Sequence, residues 1–183
     1  KCHASTLVAL ENALLVAFFG GPDRGKDEQG IWLCRRDASG WSRPRCVAHG
    51  YGLGDRCWNP VLHRTWTGSV VLFYKQGPDC STWWGMRTAS QDDGRTWSEP
   101  QRLPEGIWGP SRNKPLERLP GELLCPSSTE LGPWRVHFER TRDEGLTWER
   151  TGPLTESSRF DAIQPTLLSW PDGRIQALCR SQS

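Results

Sequence analysis

Apolar residues fall along the chain in short runs, β-branched or aromatic, broken roughly every ten residues by Gly and Pro, with no competing helical period. Three runs open on one pattern: Asn59-Pro60-Val61-Leu62, Lys114-Pro115-Leu116 and Gln164-Pro165-Thr166-Leu167. Each is followed by a turn glycine and a second run. Gly68 precedes Ser69 to Tyr74, Gly121 precedes Glu122 to Cys125, and Asp172-Gly173 precedes Arg174 to Cys179. Ser5-Thr6-Leu7-Val8 with Leu14 to Phe18 is a degenerate first copy. Short strands joined by glycine turns predict a series of hairpins.

A second motif repeats in phase with the first: Ser90-x-Asp92-x-Gly94-x-Thr96-Trp97 and Thr141-x-Asp143-x-Gly145-x-Thr147-Trp148, with a weaker Arg35-x-Asp37-x-x-Gly40-Trp41. Its chemistry is that of a turn. Asp and Ser or Thr side chains bond nearby backbone N–H groups, Gly allows positive φ, and Trp anchors the turn in a core. These residues are therefore expected to be structural.

A unit of about 50 residues holding two hairpins is what a four-stranded propeller blade requires. The expected fold is all-β, a six-bladed β-propeller, with this chain an incomplete piece of about three and a half blades in a single domain. The blades are expected at about 1–50, 51–104 and 105–157, with the opening hairpin of a fourth at 158–183. Such a piece, with unpaired edges, is expected to be inactive and aggregation-prone by itself.

Composition narrows the function classes. Twenty-three basic residues against 21 acidic ones leave a net charge of +2, too little for a nucleic-acid module. No apolar run reaches the roughly 18 residues a membrane helix needs. The chain opens on Lys1 without a basic-then-apolar leader, so it assigns no compartment, and it assigns no oligomeric state. The seven cysteines, Cys2, Cys34, Cys46, Cys57, Cys80, Cys125 and Cys179, show no metal spacing. They are expected to be small buried side chains, with one or two disulfides if the protein is secreted.

The coupled motifs resemble the sialidase (neuraminidase) superfamily, whose blades carry the S-x-D-x-G-x-T-W Asp box, and in particular its BNR-repeat "predicted neuraminidase" branch. Cys2 to Thr6, Trp58 to Leu62, Phe73-Tyr74-Lys75, Ser81 to Gly85, Asn113-Lys114-Pro115, Pro126 to Glu130, Trp134 to Glu139 and Gln164-Pro165-Thr166 look like that branch's motifs. The resemblance implies a propeller glycosidase in which arginines hold a carboxylate, Tyr and Glu supply the nucleophile, and an acid protonates the leaving group. Carried residue by residue, His3 stands at the family's first arginine, Gln164 at its Glu, and Arg180 at the arginine 16 residues later. Asp27 or Glu28 falls in the acid loop, and the nucleophile and third arginine would lie beyond Ser183.

Antiparallel order by itself selects one rim for chemistry. First-strand starts and second-strand ends share a rim, and the Asp boxes fall on the other. The expected site therefore collects His3, Trp58, Asn59, Asn113, Lys114 and Gln164 from first strands, Lys75 and Arg180 from second strands, and Trp83 from a rim loop. Lys75, Lys114 and Arg180 are expected to bind an anion, Arg180 with a two-pronged hydrogen bond. Asp27 or Glu28 would be the proton donor and His3 a base or donor. Asn59, Asn113 and Gln164 would orient hydroxyls, while Trp58 and Trp83 would stack on sugar. The sequence thus points to an exo-acting glycoside hydrolase that takes an acidic glycan or sialoside and needs no metal or cofactor. The alternatives are a uronic-acid polysaccharide lyase with His3 as base, or a glycan-binding propeller without turnover.

Overall fold

The computed structural model describes residues 2–21, 29–50, 54–130, 132–154 and 161–181. The strands among them form four antiparallel sheets, each following the last in sequence. The first contains β1 (Cys2–Ala9), β2 (Leu14–Gly20) and β3 (Gly30–Asp37), with two short strands, β4 (Gly40–Trp41) and β5 (Arg45–Ala48), both paired to β3. The second runs β6 (Arg56–Arg64), β7 (Val70–Gly77), β8 (Trp84–Ser90), β9 (Gln101–Arg102). The third runs β10 (Leu116–Leu119), β11 (Glu122–Thr129), β12 (Arg135–Thr141), β13 (Glu149–Thr151). The fourth is the hairpin β14 (Ala162–Ser169) with β15 (Ile175–Ser181).

Strand β7 shows why the sheets stack. Its side chains alternate between two cores, so all of it is buried and it reads as a continuous apolar run. Val70, Leu72 and Tyr74 join Leu15, Ala17, Ile31 and Leu33 of the first sheet. Val71 and Phe73 join Leu123 and Cys125 of the third. Only Cys57 and Cys125 of the seven cysteines are buried; Cys2, Cys46, Cys80 and Cys179 are exposed, and all seven are free thiols. The expectation of uniformly buried cysteines is corrected accordingly.

The Asp boxes fold as the motif dictates. Ser90 Oγ donates to Asp92 Oδ1 at 2.8 Å and accepts the Gly94 N–H at 2.8 Å; Asp92 accepts the Thr96 N–H at 2.8 Å and its hydroxyl at 2.6 Å. Thr141, Asp143, Gly145 and Thr147 repeat these bonds. The Thr96 hydroxyl and N–H hold the Asp92 carboxyl well below the usual carboxylate range. Trp97 docks into the core between the first two sheets and Trp148 into the next. Both boxes lie at the end of the third strand of their sheet, the rim away from the first-strand starts.

At the other rim three first strands break in the same place. The register slips between His3 and Thr6, between Trp58 and Val61, and between Ile163 and Thr166. Ala4, Asn59 and Gln164 occupy the slips in the left-handed region, with φ of 49°, 45° and 53°. Non-glycine residues there carry strain, and a bulge re-aims the side chains around it.

Candidate active-site rim

The bulges bring the expected rim residues into two groups. The first is a row of rings across sheets one and two. His3 lies 5.3 Å from Phe19, Phe19 lies 5.6 Å from Trp58, and Trp58 lies 6.3 Å from Trp83, all tilted or edge-on. Trp58 is fixed by its indole N–H, which donates to Gly77 O at 2.9 Å. His3 is exposed and the other three are half-buried, so part of the row is open to solvent. Phe19 was not anticipated, although its register partner is His3.

The second group ties sheets three and four. Asn113 Nδ2 donates to Gln164 O at 2.9 Å and to Pro165 O at 3.1 Å. Gln164 donates its backbone N–H to Ser128 Oγ at 3.1 Å and its amide to Glu130 Oε1 at 3.3 Å. Glu130 thus brings a carboxylate beside the position where Gln164 itself carries none. Asn113 also borders a cavity of about 420 Å³, lined by Ser5, Thr6, Lys114 and Thr166 among others, between β1, β10 and β14.

The three expected cations do not form one cluster. Lys75 is fully buried, and its ammonium donates to the carbonyls of Trp108, Gly109 (3.3 Å) and Pro110 (3.1 Å). All three of its N–H groups are spent, so it has none for a substrate anion. Burial pushes its pKa down to about 8 against the opposing pull of Glu139. Lys114 donates to Leu7 O and Leu62 O, both at 2.6 Å, and burial of the ammonium pushes its pKa down to about 8. It ties two inner strands and lines the cavity, and one of its three N–H groups is not used by these bonds. Arg180 and Lys114 are both exposed, and the Arg180 guanidinium lies 5.5 Å from the Trp134 ring. The strand register confirms that Lys75 and Arg180 are equivalents, since they pair with Trp58 and Ile163. The backbone of 108–110 covers Lys75.

Asp27 and Glu28, the expected proton donors, lie in 22–28, outside the described residues. Among the described residues no group of His, Cys, Asp and Glu is arranged to hold a metal ion, and no helix is long and apolar enough to cross a membrane.

Residues 12–183 match the family described as the BNR repeat-like domain. The chain belongs to that family. No curated protein sequence matches it. Among solved structures, the BNR repeat-like domain is similar to a protein of unknown function from Dyadobacter fermentans, with a TM-score of 0.79 at 14% identity over 98% of this chain and 62% of that one. It is similar to Penicillium chrysogenum alpha-L-arabinanase complexed with arabinobiose, with a TM-score of 0.72 at 20% identity over 100% of this chain and 58% of that one. It is also similar to Trypanosoma rangeli sialidase in complex with 2,3-difluorosialic acid, with a TM-score of 0.66 at 13% identity over 99% of this chain and 34% of that one. The chain thus spans less than two thirds of these chains, and its fold is that of the β-propeller glycosidases among them.

Proposed function

We propose that this chain supplies three blades and the opening hairpin of a six-bladed, sialidase-like exo-glycoside hydrolase that releases an acidic sugar, sialic acid or a relative, from a glycan. The observation that carries the reading is that His3, Trp58, Asn59 and Gln164 stand at one rim beside three matching strand bulges, with Asn113 bonded to Gln164 O, while the Asp boxes stand at the other rim. Amides from different sheets and a row of ring faces are what a sugar's hydroxyls and apolar faces require. Arg180 holds the sugar's carboxylate, its plane supported by Trp134. Asp27 or Glu28 serves as the acid, and Gln164 with Glu130 orients the reacting sugar. Strained residues at a site fit the reading, because a cleft pre-formed by its fold spends no binding energy on ordering itself.

The test uses the protein that carries this chain and a panel of acidic and neutral glycosides. Changing Arg180 to Ala should weaken an acidic sugar by about 30- to 100-fold, the worth of a charge-assisted two-pronged bond, and its methyl ester by about threefold or less. Equal losses for acid and ester would remove Arg180 from the site. An unsaturated product absorbing in the ultraviolet would replace hydrolysis with elimination.

A further inference from the structure

Between the second and third sheets lies a cluster of buried polar side chains that the proposed reaction does not use. Lys75, on β7, and Glu139 and His137, on β12, are all fully buried, as is Ser127 on β11. Glu139 accepts the Trp108 N–H at 3.0 and 3.2 Å, the Gly109 N–H at 2.6 Å, and a bond from His137 Nε2 at 2.9 Å. Lys75 takes the carbonyls of Trp108, Gly109 and Pro110, and the Ser127 hydroxyl donates to Gly109 O at 2.9 Å. Opposite charges from neighbouring sheets thus grip one stretch of backbone, the cation on its carbonyls and the anion on its amides. Gly109 sits at φ 71°, and a Cβ on Gly85 would fall 2.6 Å from Trp108 O, so the stretch is also confined sterically.

The gripped stretch leads directly to the inter-sheet contacts of Asn113 and Lys114. Ser111 N–H donates to Pro126 O at 2.9 Å, Arg112 turns at φ 65°, and Asn113 and Lys114 then reach β14, β1 and β6. We propose that Lys75 and Glu139 are positioning residues: their grip on 108–110 sets where Asn113 and Lys114 stand at the rim. The proposal rests on the functional reading above for what those two residues contact. It also explains why burying two charges is tolerated here, since each is spent on backbone groups that would otherwise be orphaned inside the protein.

The experiment compares Lys75→Met, which keeps the stem and removes the ammonium, with Ser127→Ala and with Asp143→Asn at the opposite rim, all in the protein that carries this chain. Amide hydrogen exchange of 108–114 and steady-state kinetics on the glycan panel are read at a temperature where each variant is folded. Lys75→Met should speed exchange of 108–114 and raise KM by about tenfold each, with kcat changed less. Ser127→Ala, the milder lesion that keeps the proposal testable if Lys75→Met does not fold, should move both in the same direction by about threefold. Asp143→Asn should move neither. Unchanged exchange at 108–114, or an equal rise in KM for Asp143→Asn, would overturn the proposal. A wild-type protein without turnover on any glycan would overturn the functional reading instead, and the exchange arm would still decide the grip.

Discussion

Replacing Glu139 with alanine should cost about 3–5 kcal/mol of folding stability, the range seen when one member of a buried charge pair is removed. Three donors lose their acceptor together: the Trp108 and Gly109 amides and His137 Nε2. Lys75 is left inside the protein without the carboxylate that opposes its desolvation. Water cannot easily repair the loss, because His137, Glu139 and Lys75 have no measurable exposure. Chemical denaturation of the protein that carries this chain measures the cost. A loss under about 1 kcal/mol, the scale of an exposed ion pair, would show that the cluster is solvated and does not grip the segment.

A change from Gly94 to valine should be nearly as damaging, at about 2–4 kcal/mol, for a different reason. Gly94 sits at φ 77°, where a β-branched residue is strained, and its Cβ would fall 2.4 Å from Leu15 Cδ1 in the neighbouring sheet. Leu15 is fully buried in the core shared by sheets one and two, so it has little room to yield. The same turn is held by Arg45, whose guanidinium donates to Gly94 O at 3.0 Å and Arg95 O at 2.7 Å. The box is therefore a clamp on the preceding sheet as well as a turn. A thermal melt that leaves the valine variant within 1 °C of the wild type would contradict that role; a loss of this size moves a melting point by several degrees.

Much of this architecture is legible in the sequence because it rests on local rules. Proline-led strands, glycine turns and the Asp, Ser, Thr and Trp of the boxes each carry their chemistry within a few residues. The shared rim follows from antiparallel order, and the Asn113 amide bonds the Gln164 carbonyl. The failures involve long side chains whose surroundings come from elsewhere in the chain. Lys75 reads as a rim cation because lysine is seldom buried; the backbone of 108–110, more than 25 residues downstream, covers it. His137 and Glu139 have a faint signal, since positions two apart in a strand share a face. Nothing local says that the face is buried. The bulges at Ala4, Asn59 and Gln164 are also unforeseen. A pre-proline Asn or Gln in a strand signals irregularity, and register alone shows that it recurs in phase.

The most direct test of the proposed glycan-binding rim follows the indole N–H signals of the protein's 11 tryptophans during titration with N-acetylneuraminic acid. Trp58, Trp83 and Trp134, which stand with the bulges and Arg180, should shift together, while Trp97 and Trp148 of the Asp boxes stay in place. Shifts confined to Trp97 and Trp148, or none at Trp58, Trp83 and Trp134 at saturating sugar, would place binding elsewhere and contradict the account.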